Sequence, residues 1–175
     1  MKVIVLAVAC LMALAGSALA DTADDVAAWY RDYAKLWEKA DHVDLDAVAR
    51  YYAIPSYMVD LDGVVQLMST ADAFRANMAA SIDSSKQQGW TGGKLISVKA
   101  HMLNPGAAFV EAEWANYGLN GTPLVACQEE PETYIAVKTT NGWRFISVHD
   151  GPCKALSTGK PSEERVERKG KMAHP

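Results

Sequence analysis

The sequence predicts an α+β domain in which helices come first and an antiparallel sheet follows. Two observations predict it. Val26, Trp29, Tyr30, Tyr33, Leu36, Trp37 and Ala40 recur at three- and four-residue spacing, the period of an amphipathic helix. The second half instead carries apolar runs of strand length separated by Asn104-Pro105-Gly106 and Asn141-Gly142, both strong turn signals.

The first residues stand apart from this pattern. Lys2 is followed by an apolar run over 3–14 and then by Ala18-Leu19-Ala20, the small-x-small pattern of a signal-peptidase site. A run of that length is too short to cross a bilayer, which takes about 20 residues. Residues 1–20 are therefore read as a cleaved export signal, residues 21–153 as the domain and residues 154–175 as a charged, disordered tail without aromatics. The compartment is periplasmic or secreted, with no stable membrane anchor. Removing 20 of the 175 residues leaves 155, one ordinary domain. Loss of Lys2 moves the formal charge from −4 to −5, and no basic stripe exists to hold nucleic acid.

Within the domain, acidic residues crowd the start of the first helix and lysines its end, as the helix dipole prefers. Asp44 is placed to cap a second helix over 45–53, which Pro55 cannot continue. A hairpin follows, with strands over 57–60 and 64–68 around Leu61-Asp62-Gly63. Ser69 or Thr70 caps a third helix whose buried side is Phe74, Met78 and Ile82. Strands are then expected over 94–103, 107–117, 133–139 and 143–149. Residues 118–131 are a longer connection of undetermined shape.

The order helix, short helix, hairpin, helix, meander resembles the nuclear transport factor 2-like superfamily, with its SnoaL-like cyclases, ketosteroid isomerases and scytalone dehydratase. Four stretches carry the resemblance: Asp44-Leu45-Asp46-Ala47-Val48, Tyr51-Tyr52-Ala53-Ile54-Pro55, Ser69-Thr70-Ala71-Asp72-Ala73-Phe74 and Asn141-Gly142-Trp143-Arg144-Phe145-Ile146. It implies a cone, a strongly curved antiparallel sheet wrapped around three N-terminal helices with a pocket between them. It also implies a small-molecule ligand or substrate and homodimers that pair through the exposed sheet. Tyr30, Tyr33, Trp37, Tyr52, Val110, Trp114, Trp143 and Phe145 are the candidate ligand-binding residues.

Asp60 falls where ketosteroid isomerases keep a general base, and the acid partner of that branch aligns near Glu132. The other reading of Asp60 is the polar end of a solvated hairpin beside Asp62. The oxyanion-holding tyrosine of that branch aligns with Leu36, and Tyr33 is the nearest tyrosine. Scytalone dehydratase uses pocket histidines, which makes His101 and His149 further catalytic candidates. Along the last strand Trp143, Phe145, Ser147 and His149 share one face, Arg144, Ile146, Val148 and Asp150 the other, and the sequence leaves open which face is inside. No metal-ligand spacing and no phosphate-cradling glycine loop occurs, so neither metal nor cofactor is expected.

Cys127 and Cys153 are the cysteines left after cleavage, and an exported chain with an even count is a disulfide candidate. With Asn141-Gly142 as a two-residue turn, Ile135 faces Val148 and Cys153 comes opposite Glu130, three residues from Cys127. A bend at Pro131 brings the sulfurs together.

Three functions follow as alternatives: an exported small-molecule binder, a cofactor-independent isomerase, cyclase or dehydratase, and a dimeric interaction module. N-terminal sequencing of exported protein should begin at Asp21. Exported material that retains Met1 would remove both the signal and the oxidising compartment.

Overall fold

Thr22 starts the first element. Its hydroxyl accepts from the Asp25 N–H at 3.2 Å, and the Asp25 carboxylate accepts from the Thr22 N–H at 2.8 Å, a reciprocal capping box. The computed structural model describes residues 21–154; the expected signal segment and the tail beyond Lys154 lie outside the described residues. Helix α1 (Ala23–Ala34) buries Val26, Ala27, Tyr30, Tyr33 and Ala34. It stops six residues short of the Ala40 expected from periodicity. Single 3₁₀ turns at Lys35–Trp37 and Ala40–His42 take over. The cause is tertiary: the Ala40 N–H donates to the Thr91 carbonyl at 2.9 Å, pulling the chain onto the sheet. Gly92, at φ +153°, permits that approach, because a Cβ there would lie 2.2 Å from the Glu38 carbonyl oxygen.

Asp44 caps α2 (Leu45–Ala49) by accepting from the N–H groups of Asp46 and Ala47. This helix is also shorter than expected. The Tyr51 carbonyl accepts from the Phe145 N–H at 2.7 Å, which commits the chain to the sheet at once. Strand β1 therefore runs over Tyr52–Val59 and includes Tyr52, which the sequence pattern places on a helix. The β1–β2 turn is closed by Asp60, whose carboxylate accepts from the N–H groups of Asp62 (3.0 Å) and Val64 (2.9 Å). After β2 (Val65–Met68), Thr70 caps α3 (Ala71–Gln87), which buries Phe74 and Met78.

The remaining strands are β3 (Gly92–Asn104), β4 (Ala107–Tyr117), β5 (Glu129–Thr139) and β6 (Gly142–Asp150). They form one curved six-stranded sheet in the order β2-β1-β6-β5-β4-β3. All neighbours are antiparallel except β1 and β6, which run parallel. The expected curved antiparallel sheet is present, with one parallel pairing added: the last strand returns beside the first, in the same direction, and joins the hairpin to the meander.

Two register details decide the interior. Thr139 pairs with Gly142, so the hairpin turn is Thr140-Asn141 followed by Gly142 at φ +91°, rather than Asn141-Gly142. Farther along, Ala136 pairs with Phe145 but Ile135 pairs with Ser147, leaving Ile146 as an extra residue in β6. Ile135 therefore faces Ser147 and not Val148.

The disulfide Cys127–Cys153 is present, with Cα atoms 4.9 Å apart. Backbone pairing of Glu129 with Lys154 carries the ladder one residue past Cys153, to the first residue of the expected tail. The bridge closes a span of 26 residues, which stabilises by about 3–4 kcal/mol in the chain-entropy model. Thiol counting on denatured, unreduced protein should find neither cysteine free, and reduction should lower the unfolding free energy by about that amount. Two free thiols would refute the bridge.

Candidate functional site

The inner face of the sheet is written in β4 and β5. In β4 the alternate residues Ala108, Val110, Ala112, Trp114 and Asn116 are buried. In β5 the same alternation turns Glu130, Glu132, Tyr134 and Ala136 to that face, with Trp114 opposite Glu130 and Ala112 opposite Glu132. The inner end of the cone is filled by an aromatic cluster. Phe145 lies 4.5–5.8 Å, centroid to centroid, from Trp29, Tyr30, Tyr33, Tyr52 and Tyr134. Toward the other end the packing opens into a cavity of about 270 Å³ between the sheet, α3 and the residues after α1.

The expected ligand-binding residues divide by layer. Tyr33, Trp37, Tyr52 and Trp114 line the cavity. Tyr30 stands behind them and accepts from the Trp114 indole N–H at 3.2 Å. Val110 and Phe145 are fully buried in the core. Trp143 lies at the far end, where its indole donates to the Asp21 carboxylate at 2.7 Å.

The expected catalytic candidates are not brought together. His101 sits on the outer face and pairs with Glu111 at 3.0 Å. His149 is exposed. The extra residue Ile146 explains this. Trp143 and Phe145 point inward, but the bulge reverses the alternation, so Val148 and Asp150 point inward and His149 points out. Asp60 caps its own turn and borders a second recess, which shares Met58, Ser81 and Asp150 with the main cavity.

The chemistry of the cavity lies in carboxyls that the sequence pattern left mostly unassigned. Glu130, Glu132 and Asp150 all line it, with Glu132 and Asp150 directly opposite on β5 and β6. Burial pushes the Glu132 pKa up to about 8, and the negative charges of Glu130 and Asp150 add to the shift. The Tyr134 hydroxyl, which donates to the Glu132 carboxylate, opposes it. Burial likewise raises Glu130, against the Asn116 amide that donates to it at 3.2 Å. Burial and the nearby Asp60 charge raise Asp150. Burial also raises Tyr30, Tyr33, Tyr52 and Tyr134, so their hydroxyls stay neutral. Tyr33 and Tyr52 share a hydrogen bond at 3.1 Å. The buried indole N–H of Trp37 has no partner among the described residues. Trp90 also lines the cavity, and its indole donates to Asn116 at 3.1 Å.

Residues 23–153 match the model of a family described as NTF2-like protein (DUF6841). The chain belongs to this family. Its fold is similar to that of an NTF2-like protein with a cystatin-like fold from Novosphingobium aromaticivorans, at 14% identity and TM-score 0.58, covering 90% of this chain and 93% of that one. An NTF2-like protein from Shewanella oneidensis is similar at 19% identity and TM-score 0.55, covering 74% and 98%. A cystatin-like domain from Nostoc punctiforme is similar at 13% identity and TM-score 0.57, covering 76% and 78%. No curated protein matches the sequence. Identities this low carry the fold and leave the pocket's contents to this chain's own residues.

Glu132 makes a pH prediction. Its native pKa of about 8 lies above the ordinary 4.5, so the native state keeps a proton that the unfolded chain releases between these values. The stability this group contributes is complete below about pH 4.5, falls as pH rises to about 8 and is constant above. Glu132→Gln should flatten this slope and raise the unfolding free energy at pH 9 by on the order of 2–4 kcal/mol. Equal pH profiles in denaturant titrations would show that Glu132 ionises freely.

Proposed function

We propose that this chain is an exported protein, periplasmic or secreted, that binds a small, partly apolar molecule in the open half of its cone. The observation that carries this reading is the cavity itself: about 270 Å³, walled by indole and phenol rings and floored by carboxyls. Such a mixture of apolar wall and few polar groups suits a small ligand held in a fixed orientation. The unpartnered Trp37 N–H gives that ligand one donor to satisfy. Exposed Tyr57, Leu61, Val64, Val65 and Leu67 on the β1–β2 hairpin support pairing with a second copy.

A second reading, an acid–base isomerase, cyclase or dehydratase working without a cofactor, is favoured by Glu132. A carboxyl with a pKa near 8 holds its proton at neutral pH and can hand it, with the Tyr134 hydroxyl, to a substrate oxygen. Asp150, with Asp60 in the adjoining recess, would then be the base. His101 and His149 could serve only at the outer surface.

Native mass spectrometry of protein purified from its own host should find a retained small molecule that denaturation releases. The indoles of Trp37, Trp90 and Trp114 should report its rebinding by fluorescence. Preparations that are always bare and show no rebinding would remove the binding reading. For any substrate so identified, Glu132→Gln should lower kcat about 10²–10⁴-fold if the acid–base reading holds. Unchanged turnover would leave binding alone.

A further inference from the structure

We propose that the ligand of this pocket is a small organic cation, an amine or quaternary ammonium, held between the three carboxyls and the aromatic wall. The inference rests on the binding reading above and names the chemical class that the pocket selects.

The first observation is a contrast in how the fold treats its acids. Many surface acids are paired, as Asp32 is with Lys35, Asp41 with Lys86, Asp46 and Asp72 with Arg75, and Glu113 and Glu129 with Lys154, and others cap turns or face bulk water. In the cavity the acids are not paired. Glu130, Glu132 and Asp150 have no cationic partner among the described residues, and no Lys, Arg or His lines the cavity. Unpaired acids in a desolvated site cost stability, and the fold would lose no packing by replacing them with apolar residues. Glu130 and Glu132 each receive one neutral donor, Asn116 and Tyr134.

The second observation is the wall. Tyr33, Trp37, Tyr52, Trp90, Trp114 and Tyr134 bring six π systems to one cavity. Where the face of such a ring meets the ligand, it attracts a cation and gives a neutral molecule of the same shape only dispersion. A cage of rings with carboxylates at its edge recognises an ammonium head group whose methyl or methylene groups meet the rings.

A metal ion fits less well. Among the described residues, the trio close enough to share one ion is Cys127, Glu130 and Cys153, and both of its sulfurs are spent in the disulfide. The oxygens of Glu130, Glu132 and Asp150 do not converge to that degree.

The charge of the ligand couples to protons. The ionisable groups facing Glu132 are Tyr30 and Tyr33 from α1, Tyr52 from β1, Glu130 and Tyr134 from β5 and Asp150 from β6; α3 and β4 present none to the cavity. All are acids, so nothing in the wall competes with a bound cation for the ionised carboxylate. A cation that settles beside Glu132 expels its proton. Below pH 8, affinity then rises about tenfold per pH unit and levels above it.

The test uses a matched pair of probes, choline and its uncharged carbon isostere 3,3-dimethylbutan-1-ol. Both are titrated into the full mature protein by calorimetry in buffers of different ionisation enthalpy, from pH 6 to 9. Choline should bind at least about tenfold more tightly than the alcohol. Its affinity should rise with pH as above, with release of about one proton below pH 8. Glu132→Gln should weaken choline more than the alcohol and abolish the proton release. Equal affinity for both probes would overturn the cation while leaving a small-molecule pocket intact. Failure of both probes to bind folded protein would overturn the cation and count against the pocket reading too. Binding of calcium in place of choline would replace the organic cation with a metal ion.

Discussion

The position of Phe145 is the constraint on which the rest of the fold depends. Its N–H is tied to the Tyr51 carbonyl, and its ring is surrounded by Trp29, Tyr30, Tyr33, Tyr52 and Tyr134. One residue thus fixes the start of β1, the height of α1 over the sheet and the inward face of β6. The chain then needs only one extra residue, Ile146, to turn the opposite set of β6 side chains inward. On the Phe145 side of the bulge the interior is aromatic core. On the other side it is a cavity with Asp150 in its wall. Core and site are built from the same strand, and the bulge is the boundary between them.

That boundary also separates two energetic regimes. The core gains from burying rings, which dominate the apolar area of a domain this size. The cavity works against stability. Three carboxyls share it, burial raises the pKa of each, and the charges of Glu130 and Asp150 add to the shift of Glu132. The fold limits the cost by keeping Glu132 protonated and hydrogen-bonded to Tyr134, and by giving Glu130 the Asn116 amide. Holding acids in this way resembles the tuning that places a proton where chemistry or a charged ligand can use it.

Much of the fold is legible in the sequence because it is local. Asp44 and Thr70 act as the caps their positions announce, and the buried alternation of β4 follows its hydrophobic pattern through Val110 and Trp114. The disulfide is legible because two cysteines flank a hairpin, although the assumed turn was wrong by one residue. The errors are all tertiary. Helices α1 and α2 end early because Thr91 and Phe145 bind their following backbone, which periodicity cannot register. Strand β5 begins at Glu129, four residues before the expected Thr133, because Pro131 reads as a break. In the structure the Pro131 carbonyl accepts from the Gly151 N–H just where β6 ends. That shorter reading hid Glu130, and left Glu132 visible only through the resemblance. A bulge has no sequence signature of its own, so the choice between His149 and Asp150 was open until the register was known.

The two sides of the cavity differ in kind, and this bears on how it selects a ligand. The acids of the cavity and the neutral donors beside them are carried by strands: Asn116 on β4, Glu130, Glu132 and Tyr134 on β5, Asp150 on β6. Sheet hydrogen bonds fix those positions, and the Cys127–Cys153 bridge with the Glu129–Lys154 pairing fixes the strand ends at the mouth. Charge is therefore presented with little freedom to rearrange, as precise recognition requires. The facing side comes from α3 through Met78, Ser81, Ile82 and Ser85, small or flexible residues on a helix anchored mainly by Phe74 and Met78. Methionine adapts its shape at low cost. A rigid acidic wall opposite an adaptable wall of mixed polarity demands a particular head group and tolerates variation in the rest of the molecule. Discrimination by charge then belongs to the sheet, and tolerance of size belongs to α3.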